Sequence, residues 1–146
     1  MSFLKTKVWP VFAGFVVASL VMMLFEYINS LFFPLPEGLD WRDPEAVKAV
    51  TASLPWTAYI LVFLGWIVGS FKGGCVATYL SGDNQYKTAF ALGILLTIAG
   101  IANVLMIGHS LLFSIVSLPM FLVFTYLGHR YLLYRHVKKA AQAELT

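Results

Sequence analysis

The sequence predicts an all-α membrane protein, a four-transmembrane-helix up-down bundle with a short helix in its long, outward-facing loop. Of its 146 residues, 60% are hydrophobic and only 12% are charged, whereas a soluble domain usually carries about 25% charged residues. Four apolar segments reach the roughly 20 residues that a bilayer-spanning helix needs; they lie at about 8–31, 56–80, 87–107 and 111–134. With the outer loop at 34–55, residues 1–146 are predicted to form a single transmembrane domain.

The first segment is expected to stay in place as a span. It is too long for the apolar region of a signal peptide and lacks a convincing small-residue cleavage site. Pro10 lies in its first turn, where proline is tolerated because the N–H group there has no helical partner. Pro34, Pro36 and Gly38 then end the helix.

The outer loop carries a helix start signal. Asp43 can cap a helix, Pro44 suits its first position and Glu45 places an acid in its first turn. We therefore expect a short helix over residues 44–53, with one face resting on the bundle or the headgroups.

The second segment carries glycines at a spacing of four residues, Gly65, Gly69 and Gly73. Residues four apart share a helix face, and small residues there let a neighbouring backbone approach closely within a membrane. This glycine-zipper pattern predicts that the second span is the central helix. The third span repeats the pattern with Gly93 and Gly100. Such rows on several spans suggest packing into a homo-oligomer or a larger membrane complex.

The basic residues predict the orientation. One side of the membrane would collect Lys5, Lys7, Lys72, Lys87, Arg130, Arg135, Lys138 and Lys139, and the other only Arg42 and Lys48. By the positive-inside rule, both termini face the cytoplasm. In a bacterial inner (cell) membrane, the loop would then face the periplasm. The net charge of +3 needs no nucleic-acid partner, because the basic residues lie at the membrane-facing ends.

Depth separates the ionisable residues into two groups. At 1.5 Å per residue, Glu26 lies roughly 27 Å from the start of its span, and Lys72 and Asn103 lie roughly 24 Å from the starts of theirs. Glu26 and Asn103 therefore share the outer level, whereas Lys72 lies near the inner boundary. A buried Glu26–Lys72 ion pair is thereby excluded.

The outer group consists of Glu26, Asn29, Asn103 and His109. A carboxylate, two amides and an imidazole at one level could bind a cation or a polar headgroup, or pass a proton. We hypothesise that Glu26 and Asn103 are in contact and line an outward-facing cavity. In the alternative reading, Asn103 satisfies backbone groups, Glu26 reaches water and His109 closes the tight turn between the third and fourth spans.

The inner group offers a lipid site. Lys72 and Arg130 could hold an anionic phospholipid headgroup, although snorkelling of their side chains to phosphate height also explains them. His129 and His136 lie near the same end without acidic partners, and Cys75 has no histidine nearby in the sequence, so we expect structural roles for them.

The usual signatures of catalysis are missing from the sequence. There is no phosphate-binding loop and no helical histidine pair, and a Ser–His–Asp set cannot be argued from spacing. We therefore expect no catalytic residue, no metal and no cofactor, and we lean against an enzyme. An enzyme acting on lipid-soluble substrates would need a nucleophile or base that the sequence does not reveal.

Three stretches carry a resemblance; they read FEYINS at 25–30, PLPEG at 34–38 and GWIVG at 65–69. Here the chain resembles small bacterial four-helix integral membrane proteins without an assigned activity. In size it is also similar to microsomal glutathione-transferase-like proteins, but it has no Arg-rich glutathione site, so that activity is not carried over.

The sequence favours a non-enzymatic integral membrane protein, a scaffolding or accessory subunit that packs through its glycine-rich helix faces. The alternative is a small transporter, or a membrane protein that binds a lipid or small molecule through the polar cluster around Glu26. The alternative predicts a polar cavity at the level of Glu26, which a solid bundle would lack.

Overall fold

The computed structural model describes residues 8–82, 86–107 and 111–143, which form five helices and no strand. They are α1 (Trp9–Phe32), α2 (Pro44–Ser53), α3 (Trp56–Ser81), α4 (Lys87–Ile107) and α5 (Leu111–Ala143). All but α2 are long and apolar enough to cross a membrane. The predicted all-α fold with four spans and a short loop helix is confirmed, and the chain is built as a multi-pass membrane protein.

The helix ends follow local sequence signals. The Asp43 carboxylate accepts hydrogen bonds from the backbone N–H groups of Glu45 at 3.0 Å and Ala46 at 3.2 Å. It thereby caps two of the unpaired donors at the start of α2. At the end of α3, Gly82 adopts φ +63°, the left-handed conformation that closes helices and suits glycine. The predicted bounds of the loop helix, 44–53, are confirmed.

Helix α3 lies at the centre of the bundle and packs against α1, α4 and α5. It runs antiparallel to α1, because Gly73 faces Gly14 at one end of the pair and Gly65 faces Phe25 towards the other. Helices α3 and α5 run parallel, and α4 runs antiparallel to α5. We name the end of the bundle that carries α2 and segment 33–55 the loop side, and the opposite end the terminal side.

The outer surface of the bundle is apolar. Large side chains such as Leu20, Met23 and Leu105 are 60%, 61% and 73% exposed. An exposed apolar surface of this extent marks contact with a membrane rather than with water. The buried hydrophobic core of the bundle consists of Ala18, Trp66, Ala77, Leu92, Leu96 and Phe121.

The α1–α3 contact brings two backbones together. A Cβ atom on Gly73 would lie 2.7 Å from the carbonyl oxygen of Gly14, and one on Gly69 would lie 2.8 Å from that of Ala18. Nearer the loop side, Gly65 instead meets the side chain of Phe25, with its Cβ 2.6 Å from the added atom.

The glycines of α4 also pack against another helix of the same chain. Gly93 packs against Leu122 and Thr125, and Gly100 against the Phe121 ring of α5. The glycine rows that suggested an oligomer therefore pack against the chain's own helices.

A second close contact joins α3 to α5 on another face of α3. Gly74 meets the Thr125 backbone, and Gly128 meets the carbonyl group of Phe71. Helix α3 is therefore held by backbone contacts on two sides near the terminal side.

Helix α5 is longer than the span that the sequence predicted. The span was expected to end at 134, but the helix continues to Ala143. Its 33 residues measure about 50 Å at 1.5 Å each, well beyond a hydrocarbon core of about 30 Å. Residues 135–143 include Lys, Ala and Gln and contain no Gly or Pro. They continue the helix because they have high helix propensity.

We predict that Gly73→Ala destabilises the bundle by up to about 2 kcal/mol, because overpacking usually costs about 1–3 kcal/mol and better helix propensity returns roughly 1 kcal/mol. Its added methyl group meets a backbone carbonyl oxygen, which cannot move without separating α1 from α3. This cost outweighs the gain in helix propensity of roughly 1 kcal/mol. Unfolding in mixed micelles on titration with SDS measures the change. The control, Val16→Ile, adds one methylene to a side chain that faces outward, and a Gly73→Ala variant as stable as this control would contradict the prediction.

Candidate ligand-binding site

A cavity of about 160 Å³ opens within the bundle at the loop side. Its walls come from α1, α3 and α4, through Glu26, Asn29, Ser30, Val62 and Asn103. Its roof comes from segment 33–55, through Phe33, Leu35, Trp41, Thr51 and Leu54. We name this space the loop-side cavity.

The helices place the polar side chains at one level. Glu26 and Asn29 are three residues apart on α1 and so lie on one face. Asn103 lies near the loop-side end of α4, which runs parallel to α1 and packs against it. Glu26 and Asn103 line the same cavity, and no hydrogen bond joins these two side chains. The hypothesised contact between them and their part in ligand binding stay predictions.

The oxygen atoms of this cluster are left without partners. Oδ1 of Asn29 and Oδ1 of Asn103 are buried and accept no hydrogen bond from the part of the chain that the structure describes. Within the same residues, Glu26 forms neither a hydrogen bond nor an ion pair. The amide oxygen of Asn103 therefore does not pair with a backbone group, as the alternative interpretation had expected. Glu26 is exposed, in keeping with the alternative in which it reaches water. Buried polar atoms are normally paired, so the two unpaired amide oxygens beside the Glu26 carboxylate indicate a place for donors.

A hydrogen bond joins the roof to the bundle. The hydroxyl group of Tyr59 on α3 donates to the carbonyl oxygen of Thr51 on α2, at 2.6 Å. The Thr51 side chain is buried and donates to the carbonyl oxygen of Val47 at 2.7 Å. The buried face of α2, formed by Val47 and Thr51, therefore rests on the bundle as the sequence predicted.

A second cavity of about 90 Å³ lies deeper in the bundle, and we name it the interior cavity. It is lined by Phe15, Ser19, Met22, Glu26, Trp66, Leu96, Ala99, Gly100, Asn103 and Phe121. Apart from Ser19, its polar lining comes from the two residues that also line the loop-side cavity, Glu26 and Asn103. These two side chains stand between an apolar interior space and the roofed space above it.

The residues at the terminal side form structural contacts. Thr78 Oγ1 donates to the carbonyl oxygen of Gly74 at 2.8 Å and lies 3.1 Å from Nδ1 of the buried His129. Because the Thr78 proton is already used, Nδ1 of His129 is the donor of their hydrogen bond. Cys75 Sγ donates to the carbonyl oxygen of Gly128 at 3.3 Å.

The proposed lipid-binding residues lie on neighbouring helices. Lys72 and Arg130 are both exposed, and next to them the rings of Phe71 and Tyr131 pack with their centroids 5.5 Å apart. The binding of an anionic headgroup by these two cations stays a prediction. His109, the fourth member of the outer group, lies outside the described residues.

Sequence reasoning missed the part that the outer loop plays in the site. Trp41, Thr51 and Leu54 line the cavity. The sequence feature that could have indicated this is the pair Val47 and Thr51, which are four residues apart and therefore share the face of α2 that packs on the bundle. In the described ranges, no three His, Cys, Asp or Glu side chains come together as metal ligands.

Comparisons with protein-family models, with curated proteins and with solved structures give no match.

We predict that Asn103→Leu stabilises the protein, because it replaces a buried acceptor that has no partner with an apolar group of similar size. An unsatisfied buried polar group costs about 1–3 kcal/mol, and the free energy of unfolding should rise by a large part of this amount. Titration with SDS measures it. In the control, Thr97→Val, the lost hydroxyl group has a partner, the carbonyl oxygen of Gly93 at 2.8 Å, so no gain is expected. Destabilisation by Asn103→Leu would show that the amide has a structural role.

Proposed function

We propose that this membrane protein binds a small organic cation, with an ammonium-type group in the loop-side cavity beside Glu26. The observation that carries the proposal is the set of unpaired acceptors, the carboxylate of Glu26 and the buried amide oxygens of Asn29 and Asn103. An ammonium group with several N–H bonds can donate to all of them at once. Its positive charge also balances the negative charge of the Glu26 carboxylate.

The remaining lining fits the same ligand class. An ionised carboxylate is acceptor-only, and none of the described lining residues is Lys or Arg, so no side chain competes for it. The rings of Phe33 and Trp41 also line the cavity, and aromatic rings attract cations. The volume of about 160 Å³ holds roughly five water-sized groups, which fits a small amine group rather than a drug-sized molecule.

We predict that Glu26→Gln weakens the binding of methylammonium by about tenfold or more. Hydrogen bonds to charged groups contribute about 1.5–3 kcal/mol, and the amide keeps the shape of the side chain while removing the charge. Methylammonium chloride is titrated into the protein in lipid nanodiscs, with asparagine labelled with ¹⁵N. The side-chain amide signals of Asn29 and Asn103 should shift and saturate.

Two comparisons make this test specific. Methanol, a neutral donor of similar size, should bind much more weakly than methylammonium. The control variant Glu37→Gln changes an exposed carboxylate of the outer loop that does not line the cavity, and it should bind like the unaltered protein. No saturable shift with methylammonium, or equal binding by both Gln variants, would refute the proposed function.

The scaffolding or accessory role that the sequence favoured stays a prediction. Its basis was the row of glycines on each of several spans, and Gly65, Gly69, Gly73, Gly93 and Gly100 all pack within the chain. A partner subunit, or a second copy of the chain, would therefore have to use other surfaces, such as the outward-facing apolar side chains or residues 135–143.

We also propose that the protein resides in a bacterial inner membrane with both termini in the cytoplasm. The charge asymmetry supports this orientation, because the loop side carries only Arg42 and Lys48 while the other basic residues lie at the terminal side or in the chain termini. In a bacterial host, green fluorescent protein fused to the C-terminus should fluoresce. Alkaline phosphatase inserted after Gly38 should be active. The opposite pattern would reverse the orientation.

A further inference from the structure

The loop-side and interior cavities meet at the same two side chains, Glu26 and Asn103. From this we infer that the ligand is an amphipathic amine: its ammonium group lies at Glu26 and its apolar part occupies the interior cavity. This inference rests on the proposed function and specifies which cations the site prefers.

The direction of the apolar part follows from the geometry of α1. Phe15, Ser19, Met22 and Glu26 all line the interior cavity, and their spacings of four, three and four residues place them along one face of the helix. From Glu26 to Phe15 this face extends about 16 Å. An alkyl group attached to an ammonium ion at Glu26 would therefore run along α1, away from the roof and into the bundle.

The walls of the interior cavity suit an apolar group. Trp66, Leu96 and Phe121 are 4%, 3% and 2% exposed, and the rings of Trp66 and Phe121 pack with their centroids 5.1 Å apart. An apolar cavity of this kind gives water few hydrogen-bond partners and is filled better by hydrocarbon. A ligand that reaches from Glu26 into this space gains contacts that methylammonium cannot make.

The cavity also limits the length of the ligand. Its volume of about 90 Å³ corresponds to roughly three water-sized groups, and a methylene group is of similar size. Affinity should therefore increase from methylammonium to n-butylammonium and level off at n-hexylammonium. The ligand that we infer is therefore a small free amine, whose alkyl group fits within this volume.

The experiment measures the affinity of methyl-, ethyl-, n-propyl-, n-butyl- and n-hexylammonium, with the Asn103 side-chain signal as readout in nanodiscs. We expect a gain of up to about fourfold for each methylene up to butyl, and no further gain for hexyl.

Two variants fill the interior cavity from different helices, Ser19→Leu on α1 and Ala99→Leu on α4. Each should remove the dependence on chain length. The control, Ala91→Leu, makes the same change as Ala99→Leu on the same helix. Both positions are exposed, but only Ala99 lines the interior cavity. It should keep the full chain-length dependence.

The outcomes separate the two proposals. If methylammonium binds but longer amines bind no better, or if all three Leu variants respond alike, the inference about the amphipathic ligand is wrong and the cation site stands. If affinity keeps rising to hexyl, the apolar part lies outside the interior cavity, and the inference is also wrong. If no amine shifts the Asn29 and Asn103 signals, the proposed function itself fails.

Discussion

Helix α3 touches two neighbouring helices through backbone atoms, and the rest of the bundle is arranged around these contacts. Within lipid, apolar side chains gain little by leaving the acyl chains, so helix association depends on close packing. Dispersion forces weaken steeply with distance, which makes the absence of a Cβ atom valuable. Gly14 and Gly73 are reciprocal, since a Cβ atom on either residue would lie within 2.8 Å of the carbonyl oxygen of the other. The contact between Gly74 and Thr125 extends this close packing to α5.

The kind of contact changes along the α1–α3 interface. Gly73 and Gly69 meet backbone oxygens, whereas Gly65 meets the side chain of Phe25. The pair is thus packed through backbones towards the terminal side and through a bulky side chain towards the loop side. The loop-side cavity, lined by Glu26 and Asn103, lies at the end where the side chain takes over.

The positions of the helices, and the depth of their side chains in the membrane, could be predicted from the sequence because both depend on local rules. The helix rise placed Glu26 and Asn103 at one height, and the Asp43 cap defined the start of α2. The sequence was insufficient where contacts join distant segments. Nothing near Gly128 indicates that it meets Phe71, and nothing near Trp41 indicates that it covers a cavity lined by Asn103. Hydrogen-bond satisfaction is likewise a tertiary property, which is why the orphaned amides were visible only in the fold.

Those amides stand out against the other polar side chains of the spans. Ser70, Thr78, Thr97 and Thr125 all donate to a carbonyl oxygen four residues earlier in their own helix, the usual way for a hydroxyl group to satisfy itself within a helix. The amide oxygens of Asn29 and Asn103 lack this local option, because they only accept and the N–H groups of the helix are already paired, and both oxygens remain unpaired. The third such oxygen, Oγ1 of Thr88, lies at the other end of α4 from Asn103. Apart from Thr88, the buried oxygens left unpaired in the described residues are the two amide oxygens that line the loop-side cavity beside the Glu26 carboxylate. An external donor in this cavity is the chemistry that would satisfy them.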